Sequence, residues 1–304
     1  MRAPPPPVAL TGATGFVGRA LMRELARRGV AVRALTRRGP EGAGWVRGDL
    51  DDPGALARLA EGARVLVHVA GATHALGRAG YDAVNVTGAA RVAEAVRTAG
   101  VAHLVHLSSL AARRPAISPY AASKHAGEQV VLAEAGDATV TLVRPPAVIG
   151  PGDRATKPLI DAMRLGLLTA PMEPAGVERR FSVIHVDDLA RLLADLALGL
   201  RPGGELVDMA GTREVTWARL AEAAGAATGR RVRLLRLPAA TLHLVGAAGD
   251  ALSALTGRPG MVSRGKMREM LAEEWLSAAE LDGAMGLEAA LASCLGPQEG
   301  ETAR

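Results

Sequence analysis

Aromatic residues are nearly absent from this chain of 304 residues: three Trp, two Tyr and two Phe make up 2% of it. Its core must therefore be built from Ala, Val and Leu. Hydrophobic residues account for 49% of the chain and charged residues for 22%, a balance that excludes a disordered protein. The length suits one large domain, or a dinucleotide-binding domain with a smaller lobe.

Cysteine is equally scarce, since Cys294 is the only one. A single thiol excludes a disulfide framework and a cysteine-based metal site within one chain, and it fits a reducing cytoplasm, so we expect a cytoplasmic protein. The seven histidines show no ligand spacing, and no metal is expected. The N-terminus has no apolar signal segment, and charged residues or histidines interrupt the longest apolar runs. We therefore expect no membrane span, although residues 239–255 are apolar enough to pack on a partner.

Lysine occurs only three times, so arginine supplies almost all the basicity behind a net charge of +5. The arginines form scattered pairs, without a basic block interleaved with aromatics. This pattern argues against a nucleic-acid partner. A mildly positive field suits an anionic cofactor or a small anionic substrate.

Apolar runs alternate with helical patterns over the first 150 residues. Such alternation predicts an α/β fold, a Rossmann-type doubly wound parallel sheet with helices on both faces. The predicted strands are 8–11, 30–35, 65–69, 101–107 and 140–143, and the predicted helices are 16–28, 54–59, 81–99 and 120–133.

A glycine-rich turn joins the first strand to the first helix, with the sequence TGATGFVG at residues 11–18. Its glycines permit a tight turn and close approach of the backbone to a pyrophosphate, which the N-terminus of the following helix attracts. The strand–turn–helix context makes the motif specific. It predicts cofactor contacts at Gly12, Thr14, Gly15, Phe16, Val17 and Gly18.

We therefore predict an NAD(P)-binding domain formed by residues 1–150 and 182–211. The strand-and-helix rhythm loosens after Gly150, and the tail from Pro238 is rich in Ala and Leu. Residues 151–181 and 212–304 are predicted to form a smaller, mostly helical C-terminal lobe that binds a small-molecule substrate.

Tyr120 and Lys124 lie four residues apart at the start of a predicted helix, which places them on one face. A phenol with an ordinary pKa near 10 is a poor acid–base catalyst at neutral pH, and a neighbouring ammonium lowers that pKa. In a chain with two tyrosines and three lysines, such a pair is unlikely to arise by chance. Ser109 follows the fourth predicted strand, where ligands of parallel sheets bind, and its hydroxyl is suited to holding a substrate oxygen.

These motifs together resemble the short-chain dehydrogenase/reductase superfamily, extended type, also known as the NAD-dependent epimerase/dehydratase superfamily. The resemblance covers residues 8–211 and includes the segment HVDDLA at 185–190. It implies a catalytic triad of Ser109, Tyr120 and Lys124, with Asn85 supporting the site, and a homodimer that pairs through two helices. Tyr120 and Lys124 are also implied to contact the cofactor, together with Asp49, Leu50, Ala70, Gly71, Pro145 and Val148.

The second predicted strand ends in Thr36, Arg37 and Arg38, without the carboxylate that binds the ribose 2′-hydroxyl in NAD-preferring folds. An arginine there can hold a 2′-phosphate. The sequence thus favours NADP(H), with Arg37 as the expected contact and Arg38 as the alternative, and leaves NAD(H) open.

Three functions remain open at this point. The first is a net oxidoreductase that interconverts a secondary alcohol and a ketone on a small, fairly apolar molecule. The second is a nucleotide-sugar 4-epimerase with retained NAD, and the third is a non-catalytic cofactor-bound regulatory or structural protein. The intact Tyr120–Lys124 pair argues against the third.

Two departures argue against a nucleotide-sugar substrate. The segment between Ser109 and Tyr120 is shorter than sugar-nucleotide relatives commonly have. Phe181 occupies the position of their diphosphate-binding arginine, with Arg180 one place earlier. Leu110 and Ala111 replace the acidic pair that a dehydratase needs after the active-site hydroxyl.

Overall fold

The computed structural model describes residues 7–39, 42–174 and 177–296. The chain divides into two compact units. Unit 1 comprises Met1–Arg144 and Leu189–Val207, and unit 2 comprises Pro145–Asp188 and Asp208–Arg304. The ends of the predicted domains at 1–6 and 297–304 lie outside the described residues.

Unit 1 is built on a parallel sheet of seven strands within the described part of the chain. The strands are β1 (Val8–Thr11), β2 (Val32–Thr36), β3 (Trp45–Arg47), β4 (Val65–His68), β5 (His103–Leu107), β6 (Thr139–Val143) and β10 (Leu206–Val207). Their order across the sheet is β10-β6-β5-β4-β1-β2-β3. The order reverses between β1 and β4, and ligands of open α/β sheets bind at such a switch point.

The helices of unit 1 flank this sheet and bury small apolar residues against it. Both β1 and β4 are buried at every position, as strands covered on both faces must be. Ala93 and Val96 share one core with Leu66 and Leu104 of the sheet. The helices are α1 (Phe16–Arg27), α2 (Pro53–Ala60), α3 (Gly77–Asp82), α4 (Gly88–Ala99), α5 (Pro119–Glu134) and α7 (Val186–Ala197), the last from Leu189 onward.

Unit 2 combines helices with short strands around a second core. Its strands are β7 (Ala147–Ile149), β8 (Leu167–Pro171), β9 (Arg180–His185), β11 (Met209–Ala210), β12 (Thr212–Thr216), β13 (Arg233–Leu237), β14 (Glu274–Trp275) and β15 (Ala279–Glu280). Its helices are α6 (Lys157–Arg164), α8 (Trp217–Thr228), α9 (Ala239–Thr256), α10 (Arg264–Leu271) and α11 (Leu287–Leu295).

The predicted Rossmann-type sheet is confirmed. The predicted bounds of the later segment that rejoins the sheet domain, 182–211, need correction. We assigned 182–211 to the sheet domain, yet β9 pairs with β7, β12 and β14 in unit 2. Only the part from Leu189 onward belongs to unit 1, which otherwise ends at Arg144 rather than 150. The reason is that periodicity identifies a strand and its buried face but not the sheet it joins.

Candidate active site

The glycine turn after β1 is closed too tightly to admit side chains. Gly12 has a φ of +74°, and a Cβ atom there would lie 2.5 Å from the Ala70 nitrogen. A Cβ on Gly18 would lie 2.0 Å from the Gly12 oxygen. The Gly15 amide donates to that same oxygen at 2.9 Å. The turn thereby presents backbone, rather than side chains, at the start of α1, as a bound pyrophosphate requires.

The other predicted residues of this turn lie at the same helix start. Thr14 and Gly15 are exposed, and Phe16 and Val17 are half-buried. No acidic side chain occupies the first turn of α1, so the positive end of the helix dipole is not neutralised there.

A pocket of about 340 Å³ lies at the end of β2. Arg37 and Arg38 are both exposed and line it, and Arg47 at the end of β3 contributes a third guanidinium. The described lining contains no carboxylate; its remaining members are Thr36, Gly39, Gly42 and Trp45. This is a site with the charge and room for a phosphate group.

Asp49 and Leu50 follow β3. The Asp49 carboxylate accepts a hydrogen bond from the Asp51 amide at 2.8 Å. Leu50 packs on α4, since a Cβ added to Gly88 would meet its Cδ1 at 2.8 Å. Both are half-buried beside the sheet edge that carries Arg37.

The end of β4 brings three predicted residues together. Ala70 and Gly71 follow the strand, and the Ala70 amide lies 3.4 Å from the Thr11 hydroxyl. A Cβ on Gly71 would stand 3.3 Å from the Asn85 side-chain oxygen and 3.7 Å from the Lys124 ammonium. Gly71, Asn85 and Lys124 therefore meet at one point.

Asn85 is held in a single orientation by three hydrogen bonds. Its side chain exchanges two bonds with Ala72, accepting from the amide at 2.8 Å and donating to the carbonyl at 3.0 Å, and donates to the Ser123 hydroxyl at 2.9 Å. Ser123 in turn donates to the Tyr120 carbonyl at 2.8 Å. Asn85 lies in a π-helical turn, Ala83–Thr87, between α3 and α4. Such turns frequently mark functional sites.

Tyr120 and Lys124 both lie on α5. Ser118 caps this helix by accepting a hydrogen bond from the Ala121 amide, and Pro119 occupies its first turn. Tyr120 is half-buried, whereas Lys124 is buried and donates to the Leu107 carbonyl at 2.8 Å. Burial lowers the pKa of Lys124 to about 8, and the nearby Glu128 carboxylate opposes that shift.

Ser109 begins the short 3₁₀ turn that follows β5. Its hydroxyl accepts a hydrogen bond from the Ala111 amide at 3.2 Å, and the residue is half-buried. The neighbouring Ser108 is buried, and its hydroxyl has no hydrogen-bond partner among the described residues.

Several residues near this site escaped the sequence analysis. The ring of Tyr81 lies 6.0 Å from that of Tyr120, so the two tyrosines of the chain are neighbours. His68 and His106 are buried with ring centroids 5.1 Å apart. Burial lowers the pKa of His68 to about 3, and the Lys124 charge adds to the effect; the pKa of His106 is lowered well below its usual range for the same reasons. A histidine at the end of each of two adjacent predicted strands was the available signal.

The remaining predicted residues lie in unit 2. Pro145 is buried at the start of this unit, and Val148 lies in β7, opposite Ile184 of β9. Arg180 forms an ion pair with Glu214 at 2.9 Å, and the Phe181 ring packs against Trp217 with centroids 4.9 Å apart. Among the described residues, no group of three His, Cys, Asp or Glu is placed to hold a metal ion.

Residues 8–201 match the NAD dependent epimerase/dehydratase family. The chain belongs to this family. It is accordingly an NAD(P)-dependent enzyme of the extended short-chain dehydrogenase/reductase type, and the expected resemblance is confirmed. The family uses a nicotinamide cofactor, and the closed backbone of the glycine turn after β1 fits a bound pyrophosphate.

Curated relatives within this family include named reductases. The ceramide reductase of Caulobacter vibrioides is 42% identical over 277 residues, which cover 88% of this chain and 85% of the relative. The 2-alkyl-3-oxoalkanoate reductase of Stenotrophomonas maltophilia is 36% identical over 188 residues, covering 53% of this chain and 57% of the relative.

Solved structures with the same fold include family members with bound nicotinamide cofactors. MoeE5 in complex with UDP-glucose and NAD is 24% identical, with a TM-score of 0.70 and coverage of 95% of this chain and 97% of that one. The human epimerase family protein SDR39U1 with NADPH is 21% identical, with a TM-score of 0.70 and coverage of 95% and 98%. At these identities the likeness establishes the fold.

Proposed function

We propose that this enzyme is an NADPH-dependent reductase that converts a ketone in a long-chain, apolar molecule into a secondary alcohol. The observation that carries the proposal is that Lys124, on the same helix as Tyr120, lies close to Asn85 and Gly71. The names of the relatives support the direction and the substrate class, because both are reductases and both names denote molecules with alkyl chains.

NADPH is favoured by the pocket at the end of β2. Three guanidiniums from Arg37, Arg38 and Arg47 surround a space suited to a 2′-phosphate, whereas NAD-preferring folds place a carboxylate in this position. The predicted contact at Arg37 and its alternative Arg38 thus gain one neighbour that the sequence alone did not single out, Arg47.

Each catalytic side chain has a distinct task in this proposal. NADPH, when bound at the glycine turn and by Arg37, would supply the hydride that the carbonyl carbon accepts. Tyr120 donates the proton of its Oη atom to the carbonyl oxygen, so that an alcohol forms and a phenolate remains. The Lys124 ammonium stabilises that phenolate electrostatically, and Ser109 donates a hydrogen bond that holds the carbonyl oxygen.

Asn85 and Ser123 position this machinery rather than react. Their hydrogen bonds link the π-helical turn to the Tyr120 carbonyl. Unit 1 carries all of these side chains and most of the predicted cofactor contacts, whereas the predicted contacts Pro145 and Val148 belong to unit 2. We assign substrate binding to unit 2.

Nucleotide-sugar epimerisation is disfavoured by the surroundings of Arg180. In the sugar-nucleotide relatives that this chain resembles, a diphosphate-binding arginine lies one residue later. Here Arg180 is paired with Glu214, and Phe181 is engaged with Trp217. The same enzyme parts would serve epimerisation, so the two functions must be separated by experiment.

The test is a substrate panel assayed by NADPH oxidation: a 3-oxoceramide, a long-chain 2-alkyl-3-oxo acid and UDP-glucose. We expect turnover of at least one long-chain ketone and none of UDP-glucose. Tyr120→Phe should reduce kcat at least 100-fold while leaving NADPH affinity within about threefold. The comparison variant Tyr81→Phe keeps the ring beside Tyr120 and removes a hydroxyl 3.5 Å from the Thr73 carbonyl, so we expect a loss below about threefold.

Protein that is purified with NAD already bound and interconverts UDP-sugars would refute the reductase proposal. So would full ketone reduction by Tyr120→Phe, because the proton would then come from another group.

A further inference from the structure

Helix α9 of unit 2 carries an apolar stripe on its exposed side. Leu244, Leu252 and Leu255 are 71%, 60% and 86% exposed. Val245, Ala248 and Ala251 are exposed as well. At 100° per residue, all six positions fall within about one third of the helix circumference, so they form one continuous surface.

The opposite side of α9 is already occupied. Leu242 and Gly246 are buried, and a Cβ on Gly246 would lie 2.9 Å from the Cα of Arg264 in α10. Gly249 is similarly close to the Val262 carbonyl, at 2.3 Å. Packing against α10 therefore accounts for one face of α9 and leaves the leucine stripe outside the core of unit 2.

The segment that contains α9 is rich in basic residues. Residues 230–272 contain eight exposed Arg or Lys residues and two carboxylates, Asp250 and Glu269. Three of the eight, Arg264, Lys266 and Arg268, lie on α10, which packs against α9. Both carboxylates lie beside cations of the same segment, with Arg264 at 3.9 Å from Asp250 and Lys266 at 3.1 Å from Glu269. The segment is thus strongly basic as well as apolar on its exposed side.

We propose that this face of α9 binds the surface of an anionic lipid bilayer. An in-plane helix with leucines on its exposed side and a basic helix packed beside it has the chemistry of a peripheral membrane anchor. No helix among the described residues is long and apolar enough to cross a membrane, so the contact is interfacial. A second copy of the chain fits the face less well, since a two-fold contact would bring two basic segments together.

Membrane attachment of this kind stands independently of the proposed reductase activity. The two fit together, because a long-chain ketone partitions into a bilayer and an enzyme held at its surface meets that substrate at high local concentration.

The test is flotation of the full-length protein with phosphatidylcholine vesicles containing 30% phosphatidylglycerol, and with vesicles of phosphatidylcholine alone. We expect binding to the anionic vesicles that falls at least tenfold on neutral vesicles or in 0.5 M NaCl. The triple variant Leu244→Gln/Leu252→Gln/Leu255→Gln should bind at least tenfold more weakly. Leu165→Gln is the matched control, because Leu165 is 83% exposed in the same unit but lies outside the stripe, and it should bind as the parent does.

Light scattering tests the alternative that a second copy of the chain, rather than a bilayer, covers this face of α9. A dimer that the triple variant converts to a monomer, without vesicle binding by the parent, would overturn the proposal in favour of a self-interface. Equal vesicle binding by the parent and the triple variant would overturn it as well. NADPH binding by the triple variant should equal that of the parent, which distinguishes a failed membrane site from a failed active site.

Discussion

Lys124 is the most informative single residue, because it is buried and yet the proposed mechanism needs its positive charge. Burial lowers its pKa to about 8, and Glu128 keeps it from falling further. Glu128 is itself fully buried and bound by the Arg144 guanidinium at 2.7 Å. The Glu128 carboxylate therefore helps Lys124 to keep its proton, and Arg144 holds that carboxylate in place.

This arrangement predicts an alkaline limit to activity. Above pH 8 the ammonium loses its proton, so kcat/KM for ketone reduction should fall as the pH rises. Glu128→Gln removes the group that raises the Lys124 pKa, and the midpoint of the fall should move to lower pH. Glu134→Gln changes an exposed carboxylate on the same helix and should leave the midpoint in place. An unchanged profile in Glu128→Gln would contradict the assignment.

Arg37 decides the cofactor in this proposal. Arg37→Asp should weaken NADPH binding at least tenfold, since a carboxylate repels the 2′-phosphate that the guanidinium attracts. NADH lacks that phosphate, and its affinity should stay the same or improve. Titration of nicotinamide fluorescence measures both. Equal losses for the two cofactors would show that Arg37 supports the fold of the loop instead.

At this scale the sequence predicted the residues that carry local motifs. The glycine turn, the Tyr120–Lys124 spacing and the position of Arg37 are each visible within a few residues. Ser123 and Glu128 were missed, because their roles depend on Asn85 and Arg144, which are distant from them in sequence. Hydrogen bonds of that range leave no periodic signal.

Two elements near the site owe their shape to an unusual backbone conformation. The turn between β1 and α1 closes on itself at Gly12, and the π-helical turn Ala83–Thr87 lies between α3 and α4. The sequence predicted one helix over 81–99, and the structure has helical conformation from Gly77 to Ala99 with this irregular turn inside it. A π-helical turn contains one more residue than an α-helical turn. Apolar periodicity could not reveal that residue, because a single wide turn barely shifts the spacing of the apolar positions.

Gly18 tests the closure of the first turn. Gly18→Ala places a Cβ atom 2.0 Å from the Gly12 oxygen, and the backbone must move. We expect a loss of about 2 kcal/mol in the free energy of unfolding and at least tenfold weaker NADPH binding. The control is Gly29→Ala, where φ is +69° and the space around the new atom is open. It should cost about 1 kcal/mol through backbone strain and leave NADPH binding unchanged. Urea unfolding and cofactor titration separate the two effects.

Across the whole molecule, the buried histidines of unit 1 couple stability to pH. His68 and His106 stay neutral in the folded state, whereas in the unfolded chain they take up protons below their ordinary pKa near 6.5. The unfolded state thus binds more protons as the pH falls, and stability is lost from about pH 6.5 toward the folded pKa of His68, about 3.

Between pH 7 and pH 5, His68 should account for a loss of about 2 kcal/mol in the free energy of unfolding, and His106 adds a loss of the same sign. His106→Leu removes one of these losses. Neither ring nitrogen of His106 has a hydrogen-bond partner among the described residues, so this variant should keep most of its stability at pH 7. Urea unfolding at both pH values measures the difference. An identical pH dependence in the parent and His106→Leu would contradict this account.

The way the chain passes between its two units has a consequence for synthesis on the ribosome. The last strand of the seven-stranded sheet, β10, lies more than 60 residues after β6, the strand it pairs with. Asp195 of α7, which pairs with Arg28 on α1, is likewise synthesised only after Arg144. A nascent chain that has emerged only as far as Arg144 therefore exposes β6 as an unpaired edge until the segment ending at Val207 follows. A translational pause within residues 145–207 would prolong that exposure and favour aggregation of the half-made sheet.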